Sequence, residues 1–570
     1  MKLFNPKNPD YSFLDEKSRN LMLKTIEFFE QRGKEKLKDD DHRQVWYKDF
    51  LDFQKREKAF SILMTPKGYG ANDSRWDSTR IMEFNNILGF YGLTYWYTWQ
   101  VTMLGLGPIW ISKNEKIKNK TAKLLEEGEI FAFGLSEKEH GADLIGSDMN
   151  LVKNEDGTYT ANGDKFYIGN GNKAAIVSTF GKLKSGKREE FVFFAVNSQH
   201  KNYRLIQNIV TSQNYVAEFE VNDYPISEDD IISVGREAWD TSLATIAFCK
   251  FNLGWGSIGI CEHSFYESIN HASKRKLFNQ YVTEFPHVKQ LFMDAFTRLI
   301  AMKHFSYRAT DYMRTASDKD KRYLLFNPMV KMKVTMQGEE VISHLWDIIA
   351  AKGLNRDQYF ELAIRDIRML PKLEGTVHVN MVLVLRFMKN FFFDKDESLP
   401  NIPQFREFKD DTYLFNQGAT TKGFDKIKFH DYVKVYSEFK HLPNVKIFTE
   451  QTEAFKNYLE KAYPDNSQRE DIDYMLTVGE MFTLVAYGML VLENAKNDKE
   501  DLNLIDMIFD VFVRDLTKYA SIMYSKSSSS DLQQELLLKV FRKPNLDKEK
   551  FEKVYKEHIL TLADVYEMNP

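Results

Sequence analysis

The sequence is poor in cysteine and proline and has no long apolar run. Two of its 570 residues are cysteine and 14 are proline. So few cysteines exclude a disulfide framework and a cysteine-based metal site, and they favour a reducing compartment. The first residues lack the continuous apolar core of a signal peptide, so we expect a cytoplasmic protein. The longest apolar-rich run, residues 481–492, is too short for a bilayer, and we expect no integral membrane segment.

A strong excess of charge of one sign is also lacking. Lysine and arginine total 78, aspartate and glutamate total 82, and the net charge is −4. This balance implies no basic face for nucleic acid. What the chain has in abundance is aromatic residues, which make up 14% of it. Its length predicts about three or four domains with room for a large core.

Helical, strand and helical patterns follow one another along the chain. Residues 1–128 place apolar side chains at helical spacing, residues 129–235 alternate as short strands, and helical spacing returns at residue 236. The region 236–395 predicts a four-helix bundle, whose segments are 243–270, 287–314, 328–351 and 358–369. A charged, proline-containing linker then leads to a helical extension at residues 404–570. The predicted fold class is mainly α with a central, β-barrel-like domain.

One acidic residue near the end of the bundle region is a candidate catalytic base. Glu374 follows the apolar residues Leu370, Pro371 and Leu373 and precedes Gly375. Apolar surroundings raise the pKa of a carboxylate, as a proton-abstracting base requires. A glycine beside it lets the backbone approach a ligand closely. The alternative is an exposed glutamate before a helix-ending glycine.

The order of domains resembles that of the acyl-CoA dehydrogenase family over about residues 10–393. Five motifs carry the resemblance in chain order, namely TPKGYG at 65–70, LSEKEHGAD at 135–143, NGDKFYIGNG at 162–171, RKLF at 275–278, and RDIR with LEGT within 365–376. Each motif is weak alone, but five in order are specific together. The resemblance implies an FAD-dependent enzyme of fatty acid and lipid metabolism that converts acyl-CoA to trans-2-enoyl-CoA.

The resemblance assigns the substrate side of the site to three residues. Glu374 would remove the α-proton, and Gly375 would contact the thioester. Some relatives carry the base on the first bundle helix, but counting back from Arg275 places Cys249 there, which is not an acid. Lys250 falls where relatives have an active-site arginine, and it would keep the charge without the planar fork. The alternative for Lys250 is an ordinary helix-surface lysine.

The resemblance assigns the flavin side mostly to the β domain. The backbone of Leu135 and Ser136 would meet the pyrimidine edge of the flavin. Tyr167 would replace the usual tryptophan against the ring and retain an aromatic face. Thr376 would bond near the flavin phosphates.

Further cofactor contacts would come from a neighbouring subunit. Arg275 and Phe278 would reach the neighbour's FAD, with Arg275 offering a fork for the pyrophosphate. Asp347 and Ala351 stand in the segment that relatives place near the neighbour's adenine portion. These positions imply a homodimer or homotetramer. The alternatives to these roles are that Phe278 is a core residue and that Arg275 is a solvated residue at a helix end.

Several positions depart from the family pattern. Ala142, after Gly141, stands where relatives have a serine that bonds the pyrophosphate, and Gly169 stands where a threonine usually bonds near flavin N5. A second register of the motif would align residues 146–148 (GSD) with the family's glycine, serine and aspartate, and so supply the serine that Ala142 replaces. This second register requires a five-residue insertion. His140 in the same loop is a surface histidine or a replacement phosphate contact.

Three functional hypotheses remain open. The first is a dehydrogenase for long or bulky acyl groups, suggested by the aromatic residues near 90–100, with an electron-transfer flavoprotein as acceptor. The second is an acyl-CoA oxidase that uses oxygen. The third is a degenerate, non-catalytic relative that binds flavin or acyl chains. The acyl carrier is coenzyme A or an acyl carrier protein, and the extension would serve an intramolecular or dimer contact.

Overall fold

A computed structural model describes residues 1–185 and 188–570 and confirms the predicted fold class, mainly helical with one central sheet. The chain divides into two compact units. The sheet unit comprises residues 10–252, 406–422 and 568–570. The bundle unit comprises residues 1–9, 253–405 and 423–567.

Eight α-helices lie in the described part of the sheet unit. They are α1 (Glu16–Arg32), α2 (Lys34–His42), α3 (Lys48–Arg56), α4 (Ala59–Met64), α5 (Ser78–Tyr91), α6 (Leu93–Ile111), α7 (Glu115–Glu126) and α8 (Arg236–Cys249). Asp15 and Asn114 begin α1 and α7 by accepting hydrogen bonds from first-turn amides, as N-cap side chains do. The aromatic-rich stretch 90–100 spans the end of α5 and the start of α6, which meet at Gly92. Nearly every residue of both helices is buried.

The described residues of this unit form a sheet of eight strands. They are β1 (Phe131–Gly134), β2 (Asn150–Lys153), β3 (Tyr159–Gly169), β4 (Ile176–Ser185), β5 (Arg188–Val196), β6 (Tyr203–Asn208), β7 (Val216–Ile226) and β8 (Ile231–Val234). Their order is β6-β7-β3-β2-β4-β5-β8, with β1 and β2 parallel to β4. Ile168, Val177, Phe194 and Phe219 are among the residues of one buried cluster that the strands share. The alternation of apolar residues predicted from the sequence places this cluster on one face of the sheet.

The bundle unit begins with helices from the family-like region. They are α9 (Phe251–Lys274), whose first two residues belong to the sheet unit, α10 (Pro286–Arg314), α11 (Tyr323–Met329), α12 (Thr335–Ile349), α13 (Phe360–Asp366), α14 (Val377–Leu385) and α15 (Met388–Phe393). A short hairpin, β9 (Lys276–Leu277) and β10 (Gln280–Tyr281), joins α9 to α10. The predicted helix 328–351 is present to residue 349 and contains a π-helical turn, Val330–Val334, between α11 and α12. The predicted long helix 358–369 is wrong, since only the seven residues of α13 are α-helical.

The C-terminal extension supplies the remaining helices of the bundle unit. They are α16 (Tyr432–Glu438), α17 (Pro443–Lys461), α18 (Asn466–Glu470), α19 (Ile472–Asp498), α20 (Leu502–Tyr524), α21 (Asp531–Leu538) and α22 (Lys548–Val554). Both α19 and α20 pack against α10. Arg298 of α10 donates to Asp515 of α20 at 2.7 and 3.0 Å, and both side chains are buried. The extension is therefore part of the core of this unit.

Within residues 1–185 and 188–570, two helical stretches are long and apolar enough to cross a membrane by length and composition alone. They are Arg236–Lys274 and Ile472–Asp498, and 83% and 89% of their most apolar windows are buried inside the structure. The apolar run 481–492 is only the middle part of a longer helix, because α19 has 27 residues. Such burial is typical of core helices in a globular protein.

Candidate functional site

Glu374 lies in a strained loop of the bundle unit. The loop connects a 3-10 turn, Leu370–Lys372, to the first residue of α14. Glu374 has φ +51° and Gly375 has φ +84°, so both adopt the left-handed region. That conformation is costly for a glutamate and persists only where the surroundings impose it. The Glu374 side chain is half-buried, and its Oε2 atom is shielded from solvent.

Two buried side chains hold the backbone of this loop. The Lys331 ammonium donates to the Pro371 carbonyl at 2.7 Å and also to the Gly375 carbonyl. The Asn380 amide donates to the carbonyls of Gly375 at 3.0 Å and Thr376 at 2.9 Å. The sequence reasoning missed both residues. The available signal was a lysine inside an apolar helical stretch, at residues 329–334.

Glu137 organises the loop between β1 and β2 in the sheet unit. Its carboxylate accepts hydrogen bonds from Ser147 Oγ at 2.5 Å, Asp148 N at 2.7 Å and Lys165 Nζ at 2.7 Å. Burial by itself would raise the pKa of Glu137, but the Lys165 ammonium and these donors hold that pKa below its ordinary value. Lys165 also donates to the Leu135 carbonyl at 3.1 Å. The network thereby fixes the segment that was assigned to the flavin edge.

The outer turn of the same loop is open to solvent. Gly141 and Ala142 are exposed, and no atom lies within 4 Å of a Cβ built on Gly141. Ser147 is buried, and its hydroxyl donates a hydrogen bond to the Glu137 carboxylate. The second register, which would use Ser147 for the lost serine, is therefore disfavoured. His140 is partly buried, with Nδ1 3.6 Å from Asp143.

Glu137, His140 and Asp148 also have ligand atoms within 4.8 Å of one another, a spacing that would suit a metal ion. A second such group is Asp501, Glu557 and His558. In the first group the Glu137 carboxylate already neutralises buried Lys165 and accepts backbone and serine donors. We assign no metal to either group.

The end of β3 carries the next two predicted residues. Tyr167 is 64% exposed, has φ +65°, and packs edge-to-face on Phe166. Ser136 donates its hydroxyl to the Phe166 carbonyl at 2.7 Å, so this hydroxyl serves the strand. A Cβ at Gly169 would lie 2.7 Å from the Tyr97 ring. Tyr97 thus fills the space that a threonine side chain would need, which explains the glycine.

Lys250 is buried and directly follows α8, so its interpretation as a helix-surface lysine is wrong. A chain of buried amides lies beside this point. Asn85 donates to Asn252 at 2.8 Å, Asn252 donates to Gln100 at 2.6 Å, and Gln100 donates to the Cys249 carbonyl at 3.4 Å. The sequence gave no sign of this chain, because its members are far apart in the polypeptide.

The hairpin that was assigned to a neighbouring subunit projects from the bundle unit. Phe278 is 90% exposed with φ +50°, so its interpretation as a core residue is wrong. Asn279 follows with φ +64°, a conformation that asparagine tolerates better than most residues. Arg275 is exposed, and its guanidinium lies 3.4 Å from the His271 ring.

The backbone of the segment after α12 is strained. Ala350 has φ +54° and ψ −141°, a region that is essentially confined to glycine. Ala351 and Asp347 are exposed on either side of it. Strained backbone therefore occurs at or next to predicted site residues in both units, as is common for ligand-binding segments.

A family model described as "Acyl-CoA dehydrogenase, C-terminal domain" matches residues 238–389. The chain is 22% identical over 365 residues to the short-chain specific acyl-CoA dehydrogenase of Megasphaera elsdenii, covering 63% of this chain and 94% of that relative.

Solved structures show the same fold. The acyl-CoA dehydrogenase of Bacillus anthracis complexed with FAD matches with a TM-score of 0.70 at 16% identity, covering 98% of this chain and 97% of that one. A prolyl acyl carrier protein oxidase matches with a TM-score of 0.53 at 20% identity, covering 66% of this chain and 99% of that one. The chain therefore has the fold of these acyl-CoA dehydrogenases, and its residues 238–389 match the model of that family's C-terminal domain.

Proposed function

We propose that this protein catalyses the FAD-dependent α,β-dehydrogenation of an acyl thioester, converting acyl-CoA to trans-2-enoyl-CoA. The observation that carries the proposal is Glu374, a carboxylate with one buried oxygen on a strained loop held by buried donors. The strained backbone fixes the direction of this carboxylate, as proton abstraction from a bound substrate requires.

The residues of the sheet unit fit FAD through backbone and aromatic contacts. Tyr167 offers an exposed aromatic face, and the exposed turn at Gly141 and Ala142 offers backbone that is unobstructed at Gly141. The segment Leu135–Ser136, held by Glu137 and Lys165, would meet the flavin edge. Ala142 and Gly169 supply no hydroxyl, so we expect binding to depend on these backbone and aromatic contacts. FAD, when bound, supplies the two-electron acceptor for the β-hydrogen of the substrate.

Glu374 takes the α-proton of the thioester in this reaction. The electron pair of that C–H bond becomes the new double bond as the β-hydrogen leaves with its own electron pair. Two hydrogens are thus removed, one as a proton on Glu374 and one as a hydride. Gly375, next to the base, lets the backbone approach the thioester, and Lys250 supplies a cation on the substrate side.

The β9–β10 hairpin and the segment after α12 carry the residues that would contact a second copy of this chain. A phenylalanine that is 90% exposed beside an exposed arginine is costly in isolation and favourable against a second copy. We therefore propose a homodimer or homotetramer in which Arg275 and Phe278 contact the neighbour's cofactor. Asp347 and Ala351 would lie near the adenine portion of that cofactor. Thr376, exposed at the start of α14, would bond near the flavin phosphates. An electron-transfer flavoprotein would accept the electrons in the cytoplasm.

An oxidase that acts on a carrier-bound acyl group is the second candidate. It is favoured by the likeness to an acyl carrier protein oxidase. The two functions share the use of Glu374 and differ in whether oxygen or another protein takes the electrons.

The test begins with the visible spectrum of the purified full-length protein. Acyl-CoAs of short, medium and long chain are then added without oxygen, and matching acyl carrier protein thioesters are added in parallel. Bleaching of the flavin supports the dehydrogenase, and the chain length that bleaches fastest identifies the substrate. Rapid peroxide formation in air favours the oxidase instead. A colourless protein that does not take up FAD contradicts both and favours a non-catalytic relative.

A further inference from the structure

We propose that Lys331 is the positioning residue of the catalytic base, an inference that rests on the proposed role of Glu374. Its ammonium binds the carbonyls of Pro371 and Gly375, which lie on either side of Glu374 in the chain. Lys331 would act by fixing the backbone that aims the carboxylate, without contacting the substrate.

The geometry of the loop explains why such a clamp is needed. With φ at +51° for Glu374 and +84° for Gly375, two consecutive residues sit in a conformation that a glutamate avoids. Relaxation of Glu374 to ordinary φ would turn the following peptide and carry the side chain away from its direction. The Lys331 hydrogen bond to the Gly375 carbonyl opposes that rotation, and charge-assisted hydrogen bonds are roughly twice as strong as neutral ones.

Lys331 is itself held in place. It is fully buried and lies in the π-helical turn Val330–Val334. π-turns inside helices are frequent at functional sites because they redirect side chains that regular helix would place elsewhere. Asn380, also fully buried, holds the Gly375 and Thr376 carbonyls from the first turn of α14. The two side chains together fix the loop at both of its ends.

A matched control lies two residues away in the same π-turn. Lys333 is also buried, but its ammonium pairs with Glu480 at 3.2 Å and approaches Tyr519 Oη at 3.5 Å. Removing either lysine takes a buried cation from the same helical segment. A general loss of stability would therefore affect both variants, whereas loss of the clamp would affect only one.

The experiment compares Lys331→Met, Lys331→Arg, Asn380→Leu and Lys333→Met in the full-length, flavin-loaded protein. The first readout is the rate of flavin reduction by saturating acyl-CoA without oxygen, measured beside substrate affinity. The second is hydrogen–deuterium exchange of peptides covering residues 371–381 without substrate. This second readout does not depend on turnover.

We expect Lys331→Met to slow flavin reduction by about 10²-fold, the cost typical of a misplacement near 1 Å, with little change in substrate affinity. Exchange in 371–381 should rise by about tenfold or more, because the loop loses its buried donor. Lys331→Arg should recover part of the rate, and Asn380→Leu should act in the same direction as Lys331→Met. Lys333→Met should lower the thermal midpoint and leave both readouts unchanged.

A wild-type reduction rate and wild-type exchange in Lys331→Met would overturn the proposal. If that variant does not fold, a wild-type rate in Asn380→Leu overturns it, since that substitution also removes a buried donor from the Gly375 carbonyl. Equal effects of Lys331→Met and Lys333→Met also count against it, because they indicate general destabilisation. If the wild-type protein is not reduced by any thioester while exchange rises in Lys331→Met, the proposed function fails and the loop clamp stands.

Discussion

Replacing Glu137 with glutamine should destabilise the sheet unit strongly, although it changes one atom. The substitution leaves the fully buried Lys165 ammonium without its carboxylate. Breaking a buried ion pair from one side costs about 3–5 kcal/mol. The variant should also lose flavin, because Lys165 and Glu137 hold the Leu135–Asp148 segment.

The Glu137–Lys165 ion pair also predicts how the free energy of unfolding of the sheet unit depends on pH. Burial lowers the pKa of Lys165 to about 8 from an ordinary value of 10.5, although Glu137 opposes the shift. Between these values the unfolded chain binds more protons than the folded one, so stability rises as the pH increases from about 8 to 10.5. Glu137 has a lowered pKa, so its contribution is present above the ordinary value of 4.5 and is lost as the pH falls through the folded value.

Urea unfolding followed by tryptophan fluorescence measures this effect in the relevant unit. Six of the eight tryptophans lie in the sheet unit, at positions 46, 76, 96, 99, 110 and 239. Glu137→Gln, Lys165→Met and the double variant form a cycle at pH 7 and at pH 10. We expect the double variant to lose less than the sum of the singles, and Lys165→Met to abolish the alkaline rise. Additive losses, or an unchanged midpoint in Glu137→Gln, would refute the account of this pair.

Three further substitutions test the packing around the site by thermal or urea unfolding. Ala350→Gly should stabilise the bundle unit by about 1 kcal/mol, because it removes a side chain from a glycine-only conformation; a lower midpoint would contradict this. Gly169→Ala should cost about 1–3 kcal/mol, because its Cβ would press on the Tyr97 ring; an unaffected protein would show that the space is open. Asp515→Asn should cost about 1.5–3 kcal/mol by weakening its charged hydrogen bonds to Arg298, and no change would mean that α20 is held to α10 by apolar packing alone.

The sequence predicted those features that depend on neighbouring residues. Apolar spacing located the helical and strand regions, and Glu374 was found because its apolar neighbours and Gly375 are adjacent in the chain. The partners that hold Glu374 were missed, since Lys331 is 44 residues from Gly375. The same holds for Glu137 and Lys165, which are 28 residues apart, and for Tyr97, which fills the space beside Gly169. Such contacts are created by tertiary packing, and local periodicity carries no information about them.

Glu374→Gln is the most direct test of the central claim. The change keeps the size of the side chain and its loop but removes the basic carboxylate. We predict that the flavin-loaded variant binds acyl-CoA and is bleached about 10²–10⁴-fold more slowly than the wild-type protein without oxygen, the usual contribution of a general base. Bleaching at the wild-type rate would contradict the assignment of Glu374 as the base.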